Sequence, residues 1–408
     1  MHIWEHNLNR RRFLIALSIV LSISPFAASG IEAADNAQVS TPEVDYTYGE
    51  GITFTAKLQS EEPVEEAHLF VRAEGQTEAW VIPADLDSQG NLKASYDVNQ
   101  YPLAVFSEVF YRFRIAPKSG DPIQSQEFSF FYEDNRFDWQ TLVDEPFEVH
   151  WYLGDTIFAQ EVLNTAQAGR LRVQSFLPLS TPNRIDIYVY DSAQDLQSTL
   201  NLSGQTWIAG HADPDLGMIM VSLPPGPEQQ LEMERQIPHE LMHVMLYETT
   251  GGGYDNLPAW FIEGLASISE LYPNPDYAVL LDNAHQNDGL IPIIALCNVF
   301  PRDASSALLA YAESASFTRY LFSRFGTPGL EELRLQYAAG LACENGAEQA
   351  FEVTLNRLEF QWRRETFTTQ GLSNMFAELG PWVLILVAIL AAPVVLVIRG
   401  LQAKPYTY

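Results

Sequence analysis

The sequence predicts a multidomain chain: an N-terminal antiparallel β-sandwich, an α+β domain after it, and a C-terminal helix apolar enough to cross a bilayer. Three observations predict this. Residues 44–132 alternate apolar and polar side chains with period two between turn clusters. Past residue 136, short strand patterns give way to long helical ones. Near the C-terminus, residues 381–398 carry no charge.

The sandwich is expected over about 40–135. Ile52, Phe54, Ala56 and Leu58 alternate with Thr53, Thr55 and Lys57. Val109, Tyr111, Phe113 and Ile115 alternate with Phe110, Arg112 and Arg114. Turn residues such as Ser88-Gln89-Gly90 and Lys118-Ser119-Gly120-Asp121 separate the runs. The size suits an immunoglobulin-like or fibronectin-type module. No group of residues in it suggests catalysis, so it reads as a spacer or binding module. A boundary is expected near Glu133-Asp134-Asn135-Arg136.

The second domain is expected over about 140–370. Phe147 to Tyr152 and Ile185 to Tyr190 read as strands, and Asp155 is placed to cap a helix running to Phe176. Short strands are expected at Trp207 to Ala209 and Met218 to Val221, joined by a polar loop from His211 to Leu216. After Pro224-Pro225-Gly226-Pro227 a long helix begins near Glu228, and the remainder to Thr368 is mostly helical.

The ends of the chain look like targeting segments. Arg10, Arg11 and Arg12, an apolar run from Phe13 to Ile23, and small residues to Ala34 follow the order of a secretory signal over 1–34. Arg10-Arg11-Arg12-Phe13-Leu14 is also similar to a twin-arginine signal, so the export route stays open. At the other end, 18 uncharged residues are just enough to span a bilayer, with Trp382 at one edge. Arg399 and Lys404 then place the tail, 399–408, in the cytoplasm and the bulk of the chain outside it. The expectation is a single-pass cell-membrane protein with its ectodomain extracytoplasmic.

A net charge of -29 repels phosphate backbones and excludes nucleic acid as a partner. In an oxidising compartment the two cysteines, Cys297 and Cys343, are expected to pair, the alternative being two buried thiols. Neither lies in a CxxC or near the histidines below, so neither reads as a metal ligand.

Residues 239–243 read His-Glu-Leu-Met-His. On a helix, positions four apart face the same way, so both imidazoles can reach one ion. Glu240 lies beside them, where it can act as base on water at the metal. Leu231, Ile237, Leu241, Val244 and Met245 supply the apolar face that a buried helix needs. Downstream, Asn256-Leu257-Pro258-Ala259-Trp260-Phe261-Ile262-Glu263-Gly264 opens a second helix after the turn Gly251 to Gly253.

This pair of motifs resembles the gluzincins, the thermolysin and aminopeptidase-N branch of zinc peptidases. The Trp-x-x-Glu-Gly stretch is especially similar to the aminopeptidase-N side and to peptidase-MA-like families. The resemblance covers roughly residues 145–365. It implies one zinc ion per chain held by His239, His243 and Glu263, with Glu240 as catalytic base. It also implies that Glu270 supports a histidine ligand from outside, and that Tyr311 donates to the developing oxyanion, with Tyr254 and Tyr320 as weaker candidates. The thermolysin pattern would put Asp at 267, where this chain has Ser267. Leu216 to Val221 takes the place of the strand at the edge of the cleft, which in the family pairs with extended substrate. The Gly-Ala-Met-Glu-Asn motif of aminopeptidase N is absent, which favours an endopeptidase acting on peptides or proteins. The rival readings are a silent binding or adhesion ectodomain that keeps the fold, and an amide hydrolase with a non-peptide substrate. The oligomeric state is not legible.

Overall fold

A computed structural model describes residues 37–60, 62–200, 210–367, 381–383 and 385. The N-terminal part is a sandwich of two antiparallel sheets. One is formed by β1 (Ala37–Thr47), β2 (Gly51–Ser60), β5 (Asp85–Leu86) and β6 (Asn91–Tyr96), in the order β1-β2-β6-β5. The other holds β3 (Val64–Ala73), β4 (Trp80–Pro83), β7 (Ser107–Pro117), β8 (Ile123–Gln124) and β9 (Phe128–Tyr132), with β7 at its centre. The alternation read from the sequence is realised: Ile52, Phe54, Ala56 and Leu58 of β2 face Val109, Tyr111, Phe113 and Ile115 of β7 in one core.

The second domain is built on a five-stranded sheet. Its strands are β10 (Gln140–Asp144), β11 (Phe147–Trp151), β12 (Ile185–Tyr190), β13 (Gly210–Asp213) and β14 (Met218–Ser222), in the order β10-β11-β12-β14-β13. The central three run parallel, and the two outer strands are antiparallel to their neighbours. β14 therefore lies inside the sheet. This corrects the expectation for Leu216 to Val221: the edge strand is β13, from within the stretch read as a polar loop. The strand expected at Trp207 to Ala209 lies outside the described residues.

Both faces of this sheet are covered. Ile187, Val189, Ile219 and Val221 pack against helices α1 (Thr156–Phe176) and α3 (Gln229–Thr250). Asp155 caps α1, its Oδ1 accepting from the N–H groups of Ile157 and Phe158 at 3.0 and 3.1 Å. Tyr188, Tyr190, Met218 and Met220 point the other way, and form a core with Val105 and Phe106 of the sandwich and Leu196 of α2 (Ala193–Leu200). Phe106 stacks on Tyr188 at 3.5 Å between ring centroids. Such a pair is worth about 0.5–1.5 kcal/mol beyond its buried area. The boundary region is locked: Asp134 is fully buried and accepts from Arg136, Thr199 Oγ1 (2.7 Å) and Tyr190 Oη (3.2 Å).

The rest is helical, with α4 (Ala259–Ser269), α5 (Asp276–Gln286), α6 (Ala304–Ala338) and α7 (Cys343–Phe351). α6 is two helices across a kink at Gly326 (φ 64°, ψ -170°), a backbone region that favours glycine. Two close approaches seat the helices. A Cβ on Gly169 of α1 would meet Pro238 at 3.1–3.3 Å, so this glycine makes room for the proline inside α3. A Cβ on Gly264 of α4 would collide with Thr318 Oγ1 and stand 2.6 Å from Ser314 O, so α4 lies directly on α6. Cys297 and Cys343 form a disulfide. It sits beside the start of α4, where Ala259 N donates to Cys297 O (2.9 Å) and Trp260 Nε1 lies 3.3 Å from Cys343 Sγ.

The membrane-spanning part of the expected fold is not supported. Among the described residues no helix is long and apolar enough to cross a membrane. Eighteen apolar residues stand at the lower limit of a span, and apolar composition by itself does not distinguish a span from other uses of such a run. Most of 381–398, the tail 399–408 and the proposed signal over 1–34 lie outside the described residues.

Glu313 of α6 is fully buried. Its Oε1 accepts from Ile291 N at 2.9 Å, and Oε2 has no partner. Burial pushes its carboxyl from 4.5 up to about 8. A folded-state value above the unfolded one stabilises fully below about pH 4.5, and that contribution is lost as pH rises through 8. Glu313→Gln keeps the acceptor and removes the titration. Urea midpoints measured from pH 4.5 to 8 are expected to fall less steeply for the variant than for the wild type. Parallel slopes would refute the assignment.

Candidate metal centre

α3 and α4 bring the predicted ligands together. His239, Glu240 and, one turn on, His243 lie on α3, and Glu263 lies on α4. Glu263 Oε2 stands 3.4 Å from His239 Nε2 and 3.8 Å from His243 Nε2. Two ligand atoms on a tetrahedral zinc ion are about 3.3 Å apart, from bond lengths of about 2.0–2.1 Å. One atom from each of the three residues falls within 4.8 Å of the others. Glu263 Oε2 is buried, and its contacts to the two imidazoles are at ion-pair distance rather than hydrogen bonds. The donor set, two imidazoles and one carboxylate, suits zinc with an open fourth position.

The electrostatics agree with a cation. Burial opposes charge on His239, but the Glu263 and Glu270 carboxylates, with the charge of Glu240, hold it well above the usual histidine range. Burial pushes His243 down to about 4, leaving its imidazole neutral, the form that ligates. Glu240 is pushed up to about 7 by burial, with the Glu263 and Glu270 charges adding to the rise. A group that titrates near neutral pH can both take and return a proton.

Each imidazole has a partner on its outer side. His239 Nδ1 lies 3.3 Å from Glu270 Oε1, with Glu270 buried at the end of α4. Ser267 is also buried, but it is Glu270, three residues on, that reaches the histidine. His243 Nδ1 lies 3.3 Å from Tyr254 Oη. The Tyr311 ring stands 6.3 Å from that of His239, packed on Phe300. Burial, then the charges of Glu263 and Glu240, raise its hydroxyl, so it is neutral and able to donate. Tyr320 is placed elsewhere, its hydroxyl accepting from Arg324 Nη1 at 3.1 Å.

Sequence reasoning missed Gly210. This residue of β13 abuts the base: a Cβ there would stand 2.6 Å from Glu240 Oε1. His211 follows on the opposite face by strand alternation, paired across from Met220, and is not part of the ligand cluster. A glycine beside the loop-like run His211 to Leu216 was the available signal.

A second group, Glu148, His150 and Asp186, also has one atom from each within 4.8 Å. Here a cation is already supplied. Arg184 Nη2 lies 3.1 Å from Glu148 and 2.7 Å from Asp186, while His150 Nε2 pairs with Asp186 at 2.8 Å.

No curated protein matches the chain. Among solved structures, the chain is similar to an M1 zinc metallopeptidase from Deinococcus radiodurans, at 10% identity over 80% of this chain and 94% of that one, with a TM-score of 0.36. It is also similar to an aminopeptidase N family protein from Idiomarina loihiensis, at 10% identity over 81% and 70%, with a TM-score of 0.32. Superpositions this loose carry no functional weight. The family model described as Peptidase MA superfamily matches residues 165–368, half of the chain, and takes in both ligand helices. The chain belongs to the Peptidase MA superfamily.

Proposed function

We propose that the protein is a zinc-dependent peptidase, cleaving within peptides rather than only at their amino ends. The observation that carries the reading is the buried Glu263 Oε2 held at ion-pair distance from the Nε2 atoms of both His239 and His243, with Glu240 beside them. Membership of the superfamily supports hydrolysis. An endopeptidase is favoured by the lack of the Gly-Ala-Met-Glu-Asn motif. A location outside the reducing cytoplasm is favoured by the Cys297–Cys343 disulfide.

His239, His243 and Glu263 would hold the ion. Zinc, when bound, acts as a Lewis acid towards water and the scissile carbonyl. Glu240 takes a proton from the attacking water and delivers it to the leaving amine, a double duty suited to a carboxyl near 7. Tyr311 donates its hydroxyl proton in a hydrogen bond to the carbonyl oxygen as negative charge builds there. Among the described residues β13 is the outermost strand on its side of the sheet, and its free edge would pair with an extended substrate.

The deciding experiment is zinc content and peptide cleavage for wild type, Glu240→Ala and His243→Ala. Glu240→Ala is expected to retain one zinc per chain and lose turnover by at least about 100-fold. His243→Ala is expected to lose both metal and activity. Zinc without cleavage in the wild type would favour the silent binding protein instead.

Gly210→Ala tests the placement of the base. The added methyl would press directly on the Glu240 carboxylate. The turnover number should drop about 10- to 100-fold, as displacements near 1 Å do, while zinc content stays unchanged. An unaltered turnover number would mean that Glu240 does not work from this position.

A further inference from the structure

We infer that Tyr254 is a positioning residue for the metal centre: its hydroxyl accepts from Nδ1–H of His243 and fixes the tautomer and ring angle that turn Nε2 to the ion. The inference rests on the zinc reading above. It gives Tyr254 a different job from donating to an oxyanion.

The direction of the ring carries the first part. His243 turns Nε2 to Glu263 Oε2 and Nδ1 to Tyr254 Oη. The hydroxyl is therefore on the far side of the imidazole from the ligand cluster. An imidazole that ligates through Nε2 keeps its proton on Nδ1, and an acceptor there holds both the proton and the ring plane. A tyrosine oxygen can accept that bond while the phenol stays neutral.

The mounting of Tyr254 carries the second part. It lies in a short 3₁₀ turn, Gly251–Asn256, between α3 and α4. The turn is seated on the end of α6: a Cβ on Gly253 would stand 2.8 Å from Ala338 O, and Asn256 Nδ2 donates to the same carbonyl at 3.2 Å. The Tyr254 ring packs edge-on against Tyr247 at 5.4 Å, and the Tyr247 hydroxyl is hydrogen-bonded to Asp215 in the turn between β13 and β14. The hydroxyl thus reaches His243 from a braced segment.

The choice of a phenol carries the third. His239 already leans on a carboxylate, Glu270, at 3.3 Å. Glu240, Glu263 and Glu270 together place three carboxylates around two imidazoles. A fourth carboxylate would add like-charge repulsion to an already buried cluster. A neutral acceptor orients His243 without adding charge.

The test is zinc affinity of the full-length chain, measured by competition with a chromophoric chelator, for wild type, Tyr254→Phe and Asn256→Ala. Tyr254→Phe keeps the ring and loses only the oxygen, and zinc binding should weaken about 10- to 100-fold. Asn256→Ala loosens the turn but keeps the hydroxyl, and should weaken binding at most a few-fold. With cobalt in place of zinc, the visible spectrum should shift for Tyr254→Phe and not for Asn256→Ala. Tyr254→Phe binding zinc within twofold of wild type would overturn the inference, as would equal losses in the two variants. A wild-type chain that binds no zinc would instead bring down the underlying metal reading, so the two failures are distinguishable.

Discussion

Negative charge in a confined space governs the centre of this molecule. Glu240, Glu263 and Glu270 converge on two imidazoles, and the buried Glu263 Oε2 is directed at both Nε2 atoms. Carboxylates so placed repel one another strongly in a low-dielectric setting, and they stay together only if a cation or their own protonation relieves the strain. The rest of the domain makes that convergence geometrically possible. Gly264 lets α4 lie on α6, Gly169 lets α3 carry Pro238 one step before His239, and Gly210 leaves space for the Glu240 carboxylate. Each of these glycines sits next to, or directly against, the element that bears a site residue.

What the sequence made legible was the chemistry fixed by short spacing. Two histidines four apart on an apolar helix can only face one way, and the glutamate twenty residues later came with a recognisable helix start. Glu270, which the family resemblance implied, falls beside His239. The edge strand was misplaced for a physical reason. Met218 to Val221 is a continuous apolar run, and such a run marks a strand buried on both faces, hence an interior one. The true edge, β13, carries His211 and Asp213 and so looks like a loop, since an edge strand with a solvated side needs no apolar run. The expected membrane helix relied on an uncharged run flanked by Trp382 and Arg399 and is without support in the described residues.

The roles that Tyr254 and Asp134 play were illegible for another reason. Neither has a spacing rule, because each acts through a turn whose course is set by distant contacts. Tyr254 depends on the end of α6 more than eighty residues further along, and Asp134 depends on Tyr190 and Thr199. A stretch that reads as a polar boundary turned out to contain one of the most thoroughly satisfied carboxylates in the chain, held by a guanidinium, a hydroxyl and a phenol.

That buried carboxylate also changes what the two halves are to each other. A sheet in a two-layer α+β unit commonly leaves one face to water. Here the face opposite the helices carries Tyr188, Tyr190, Met218 and Met220, and the sandwich covers it through Val105 and Phe106. The sandwich is thus the missing layer of the catalytic half's own architecture. Cutting the chain at its sequence boundary would bare an aromatic and sulfur-rich surface and strip Asp134 of its partners, so the fragment would be expected to clump rather than to work alone. Joining either half to an unrelated domain would leave Tyr188, Tyr190, Met218 and Met220, or Val105 and Phe106, without the surface that covers them.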